Sequence, residues 1–196
     1  MWRTRHNFPV FRLVAAILAA SLLSPSSALY SAQNSALALD GTPANPFQEY
    51  PGRVVVLVFV RTDCPISNRY APAIQRISAK YEAKAAFWLV YPDKSESAEK
   101  IRQHEREYHY KLPALRDLQH TLVKLAQARV TPEVAVFDAS HRLTYHGRID
   151  DLYQDLGRAR HAAATHELED AVQAALSGHS PPASTPSVGC FISDLE

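Results

Sequence analysis

The sequence predicts an α/β fold, a three-layer sandwich in which helices flank a mixed central sheet. Three observations carry this. Residues 53–61 (RVVVLVFVR) and 85–91 (AAFWLVY) are continuous apolar runs with no alternation, the pattern of strands buried on both faces. Each run is followed by a segment with helical spacing or helix-capping signals. Residues 133–137 (EVAVF) and 142–147 (RLTYHG) flank the turn 138–141, which reads as a hairpin. Strand–helix–strand crossovers give parallel, right-handed pairs, and the hairpin adds antiparallel strands.

The elements follow in order. Residues 1–28 read as a signal peptide: Arg3, Arg5 and Arg12 precede the apolar run 13–23, and small residues at Ser26 and Ala28 suit cleavage after Ala28. As a helix that run would rise only roughly 16 Å, about half a bilayer, so no stable membrane span is expected after cleavage. Export implies a periplasmic or secreted location, where a disulfide can persist. The globular domain is expected over 29–178. Residues 29–49 form a polar lead-in with one short strand near 36–39. The strand 53–61 leads into a helix over 67–83, whose Tyr70, Ile74, Ile77 and Tyr81 share a face. After the strand 85–91, a charged helix is expected over 95–108. Ser95 and Ser97 are its candidate N-caps, and 94–106 is read as mostly solvated face. A short helix over 119–128, the hairpin, and a last helix over 162–176 complete the domain. Residues 179–196 read as a Pro/Ser linker, 180–186, and a cysteine-containing tail.

Composition bounds the rest. The chain has 196 residues and is 46% hydrophobic, enough for one domain with a real core. Its 21 basic and 20 acidic residues leave no electrostatic footprint for nucleic acid. Two cysteines exclude a dense disulfide scaffold and a four-thiolate zinc site. There is no Gly-rich phosphate loop, no His-Glu-x-x-His helix and no serine nucleophile elbow.

Chemistry in such a fold is expected where the first long strand ends and its helix begins. That place is Arg61-Thr-Asp-Cys-Pro-Ile-Ser-Asn68. Pro65 suits the first helical turn, because its missing N–H costs nothing there. Free N–H groups and the positive end of the helix dipole then favour a Cys64 thiolate. A thiolate is the nucleophile of disulfide exchange and of peroxide reduction. The alternative is a cysteine serving as a small buried hydrophobe.

These residues resemble the thioredoxin-like superfamily. Cys64-Pro-Ile-Ser67 stands where thioredoxin has Cys-x-x-Cys, with Ser67 in place of the second cysteine. Ala71-Pro72 matches the Ala-Pro that kinks the active-site helix. Thr131-Pro132-Glu-Val-Ala-Val-Phe-Asp138 resembles the segment that begins with a cis-proline, and 143–147 resembles the final strand and its glycine. The longer gap from Cys64 to Pro132 is similar to that of exported thioredoxin-like and peroxiredoxin-like proteins, the redoxins. The resemblance covers 37–176. It implies a thioredoxin-like sandwich and a protein thiol or disulfide as substrate or redox partner. It also implies a cis Pro132 that places the Thr131 backbone beside Cys64, ready to pair with an extended substrate chain.

Departures from the pattern matter. Asp63 replaces the usual Trp and would raise the Cys64 pKa, with Arg61 or Arg69 available to offset it. Val58 replaces the usual buried acid. The peroxiredoxin pattern wants Thr three residues before the cysteine, whereas Thr62 is two before and Arg61 stands at the other position. Thiol–disulfide exchange is therefore favoured over peroxidase activity. Ser67 cannot resolve a mixed disulfide, so Cys190 is a candidate resolving thiol reached through the linker, with Gly189 permitting close approach. A purely structural Cys64–Cys190 disulfide and an unpaired Cys190 are the alternatives. No cofactor is expected. A cuprous site of Cys64, Cys190 and one histidine would be chemically reasonable, but most of the nine histidines read as surface residues. Three classes remain: thiol-disulfide oxidoreductase, thiol peroxidase, and copper-binding or partner-docking module.

Overall fold

A computed structural model describes Trp2, residues 35–193 and Leu195. Apart from Trp2, the expected signal peptide lies outside the described residues. The first half contains β1 (Ala36–Ala38), β2 (Pro43–Ala44), α1 (Pro46–Glu49), β3 (Val54–Phe59), α2 (Pro65–Tyr81), β4 (Ala85–Tyr91) and α3 (Ala98–Glu107). The second contains β5 (Ala114–Arg116), α4 (Thr121–Ala126), β6 (Val130–Thr131), β7 (Glu133–Phe137), β8 (Leu143–Gly147), β9 (Tyr153–Asp155), β10 (Arg158–Ala159), α5 (Glu167–Ser177) and β11 (Cys190–Phe191).

A seven-stranded sheet runs in the order β2-β1-β5-β4-β3-β7-β8. The β3–β4 and β4–β5 pairs are parallel, and the β3–β7 and β7–β8 pairs are antiparallel. The sheet is therefore mixed, as expected, and the fold is thioredoxin-like. The central strand explains the layers. Val54, Val56 and Val58 face a core completed by Ile74 and Ile77 of α2, Ile101 of α3 and Leu168 and Val172 of α5. Val55, Leu57 and Phe59 face the other way, toward Phe47 of α1 and Leu122 and Val123 of α4. Neither face of β3 meets water, which is why its sequence shows no polar alternation.

Two expectations need correction, and one of two candidate caps is selected. The last helix begins at Glu167 rather than 162. Asp151 Oδ1 captures the N–H groups of Ala164 (2.6 Å) and Thr165 (3.0 Å) and holds that stretch out of helix. The helix after β4 is capped by Ser97, whose hydroxyl accepts from Lys100 N at 3.1 Å. Ser95 instead bonds to Asp93. This region is also less solvated than expected, since Glu96, Ile101 and His104 are buried. The short strand β5 and the β9–β10 hairpin have no counterpart in the sequence reading. Among the described residues no helix is long and apolar enough to cross a membrane.

Candidate active site

Cys64 is the N-cap residue of α2, immediately after the loop that leaves the buried β3. Its backbone is extended (φ −87°, ψ 109°), and its carbonyl accepts the first helical bond from Asn68 N at 3.0 Å. Pro65 occupies the first turn, where no donor is lost. Cys64 itself has no exposed surface. Its thiol donates to the carbonyl of Thr131 at 3.0 Å. That carbonyl belongs to the Thr131–Pro132 peptide, which is cis, as the resemblance implied.

The segment after α5 returns across this end of the molecule. β11 pairs antiparallel with β6, with Cys190 opposite Thr131 and Phe191 opposite Val130. Ile192 N donates to Arg129 O at 3.0 Å, and the Ile192 side chain is buried. Farther back, Arg148 N donates to Thr185 O at 3.2 Å. Two glycines permit this path. A Cβ at Gly189 would lie 2.2 Å from Thr131 O, and one at Gly147 (φ +148°) 2.4 Å from Thr185 O. Cys64, Ser67, Thr131, Pro132 and Cys190 thus converge on one point. Both cysteines are free thiols.

The thiols differ in acidity. Burial works against a Cys64 thiolate. It is outweighed by hydrogen bonding from the Cys190 thiol, from the Ser67 hydroxyl and backbone N–H, and from the Cys190 N–H, so the Cys64 pKa is lowered. Ser67 Oγ is buried without a hydrogen-bond partner, leaving it free for this role. The Thr131 carbonyl is the contact that favours the neutral thiol. Cys190 is pushed up to about 11, first by burial and then by the hydrogen bond and negative charge of Cys64. Arg61 does not reach the sulfur as a donor. It pairs with Asp63 (3.1 Å) and Asp93 (2.9 Å), so the acid beside the nucleophile is offset where it stands.

A network behind the loop escaped the sequence reading. Glu96 Oε1 accepts from Thr62 N (2.7 Å) and Thr62 Oγ1 (2.5 Å). Asn68 Nδ2 donates to Thr62 O at 3.0 Å, while Asn68 Oδ1 lies 2.8 Å from His104 Nε2. His104 Nε2 must then carry the proton, and Nδ1 accepts from Tyr91 Oη at 2.9 Å. Burial lowers the His104 pKa to about 4, so the imidazole is neutral. The network fixes the turn that presents Cys64. Its only sequence signal was Ile101 and His104 three apart on one helix face. Among the described residues no cluster of three or more His, Cys, Asp or Glu could hold a metal ion.

A thioredoxin-like sandwich with a buried cysteine at a strand-to-helix junction beside a cis-proline defines a class of thiol oxidoreductases. The family model for Redoxin matches residues 20–158, and the chain belongs to that family. Similar solved structures share the fold. A hypothetical protein from Sinorhizobium meliloti 1021 is 23% identical, with TM-score 0.69 over 81% of this chain and 88% of that one. An uncharacterized conserved protein from Geobacillus kaustophilus is 21% identical, with TM-score 0.68 over 81% and 86%. A secreted disulfide oxidoreductase from Mycobacterium tuberculosis is 15% identical, with TM-score 0.52 over 76% and 98%. No protein of curated function matches the chain.

Proposed function

We propose that the protein is an exported thiol-disulfide oxidoreductase in which Cys64 is the nucleophile and Cys190 the resolving thiol. The observation that carries this is the strand register: Cys190 stands opposite Thr131, whose carbonyl accepts the Cys64 thiol proton. The Cys64 thiolate attacks one sulfur of a partner disulfide, forms a mixed disulfide and expels the partner's other sulfur as a thiolate. That thiolate takes the Cys190 proton. Cys190 then attacks the Cys64 sulfur, the partner's second sulfur leaves as a thiolate and takes a proton from water, and Cys64 and Cys190 are oxidised to a disulfide. Thr131 and Pro132 hold the backbone edge against which both sulfurs meet, and Ser67 stabilises the attacking thiolate.

The test is insulin reduction by the reduced protein, with mass mapping of the products. Wild type should reduce insulin and accumulate a Cys64–Cys190 disulfide. Cys190→Ser should stop at a mixed disulfide on Cys64, and Cys64→Ser should be inactive. Turnover by Cys64→Ser would refute the assignment. The complete burial of Cys64 favours one second reading, a thiol peroxidase, because a hydroperoxide is small enough to reach the sulfur while β11 stays seated over it. Consumption of hydroperoxide without insulin reduction would select it.

A further inference from the structure

We propose that residues 189–192 occupy the edge on which a partner's extended chain docks. The partner is then a cysteine-bearing strand with glycine before its cysteine and an apolar residue two places after it. This rests on the reading of Cys64 as nucleophile. Among the described residues β6 has a single strand partner, β11. While that pair stands, the backbone of Thr131 is used and Cys64 has no exposed surface. A strand that brings a cysteine to Cys64 must take the place of β11 for the first attack, and β11 returns to β6 when Cys190 resolves the mixed disulfide.

The segment now seated there shows what the edge accepts. At the position before the cysteine, a Cβ would meet Thr131 O at 2.2 Å and Thr131 C at 2.7 Å. Both atoms are main chain and cannot swing aside as a side chain would. At the position after it, Phe191 is 79% exposed, so the edge does not select there. Two places after it, Ile192 is 6% exposed and joins the cluster of Phe59, Leu122 and Ala126. Selection therefore falls on the glycine and the apolar anchor. Besides the two-residue pairing of β11 with β6 and the buried Ile192 side chain, the attachment is short: Ile192 N to Arg129 O at 3.0 Å, Thr131 Oγ1 to Cys190 O at 3.5 Å, and Arg61 Nη1 to Phe191 O at 3.4 Å. A few contacts of this size can be exchanged for those of an incoming strand.

The test uses full-length chain and the peptide Ser-Val-Gly-Cys-Phe-Ile, its cysteine activated as a mixed disulfide with thionitrobenzoate. Attack by the Cys64 thiolate joins it to the peptide sulfur and releases the coloured thionitrobenzoate anion. Cys190→Ser removes the internal resolver, and Gly189→Val added to it lifts the segment off β6. The lifted variant should react about tenfold faster than Cys190→Ser alone, the equivalent of one or two hydrogen bonds of competition removed. It should also prefer this peptide about tenfold over Ser-Val-Val-Cys-Phe-Ile. Ile192→Asp with Cys190→Ser, which releases the segment from its other end, should show the same preference. Equal rates for the two peptides, or no acceleration on lifting, would overturn the inference. A small activated disulfide, mercaptoethanol–thionitrobenzoate, separates the failures. If Cys64 attacks it but ignores the peptide sequence, only the docking inference falls. If Cys64 attacks neither, the function falls with it.

Discussion

Glu96→Ala should loosen the turn that presents Cys64, and Glu96→Gln should largely spare it. Glu96 Oε1 accepts both the N–H and the hydroxyl of Thr62. Alanine leaves the Thr62 N–H without an acceptor, at a cost of about 1–3 kcal/mol, and the half-buried hydroxyl adds about 1 kcal/mol. Relief from burying a carboxylate offsets part of this, so the net loss is about 2 kcal/mol. For a domain of this size that lowers Tm by about 4–8 °C. Glutamine keeps an acceptor oxygen for both bonds and should cost about 1 kcal/mol or less. The two variants also separate by pH. Burial raises the Glu96 pKa above its ordinary 4.5. The folded state then binds a proton that the unfolded state has released, so wild type loses stability as pH rises from 4.5 through the raised value. Glutamine lacks this loss, so its Tm should gain on that of wild type across the same window. Thermal unfolding at graded pH, with the Cys64 alkylation rate on the same samples, reads both effects. Equal Tm losses in the two variants would refute the acceptor argument, and a pH-independent gap between the Glu96→Gln variant and wild type would refute the buried carboxylate.

Three further outcomes follow from the same geometry. His104, with its pKa lowered to about 4 from 6.5, should make the fold lose about 3 kcal/mol as pH falls from 6.5 to 4, because only the unfolded chain takes up the proton in that window. His104→Gln should flatten this part of the pH–stability curve. Ser67→Ala should raise the Cys64 pKa by removing a donor to its thiolate, seen as a higher pH midpoint for iodoacetamide alkylation; an unmoved midpoint would remove Ser67 from the site. Tyr70→Phe removes a 2.6 Å bond to Asp150, which keeps its 2.9 Å bond from Leu152 N, so denaturant unfolding should show a loss of about 1–2 kcal/mol.

What the sequence made legible was local. The β-branched run 53–61, the Cys64-Pro65 step into a helix and the hairpin around 138–141 each follow from nearest neighbours, and each stands where it was expected. Cys190 could be named as a partner by counting, because only two cysteines exist. Its register opposite Thr131 could not, because a two-residue strand pairing across about sixty residues leaves no periodicity. Gly189 was legible as permissive, but only the carbonyl facing it shows that the glycine is required. Glu96 and His104 were hidden for a different reason. Charged and polar residues in a charged helix read as solvated, and only their tertiary partners Thr62, Asn68 and Tyr91 make burial tolerable. The start of the last helix was misplaced because Asp151, more than ten residues upstream, competes for its N–H groups.

The shifted acidities of Cys64 and Cys190 are two sides of one arrangement, and they order the chemistry. Two neighbouring thiols, one buried and one half-buried, cannot both ionise without like-charge repulsion. Cys64 has the helix N-terminus, the Ser67 donors and the Cys190 donors, so the charge settles there; burial first, and then the hydrogen bond and charge of Cys64, raise Cys190 to about 11. Cys190 is therefore held as a neutral donor for as long as Cys64 is a thiolate. Once Cys64 forms a mixed disulfide its charge is gone, and with it both the repulsion and the hydrogen bond that kept the Cys190 proton in place. Burial and the charge of Asp63 then remain to oppose ionisation of Cys190. In the proposed mechanism the second thiol is thus restrained before the first attack and released by it, which a serine at position 67 makes necessary and the register of β11 on β6 makes possible.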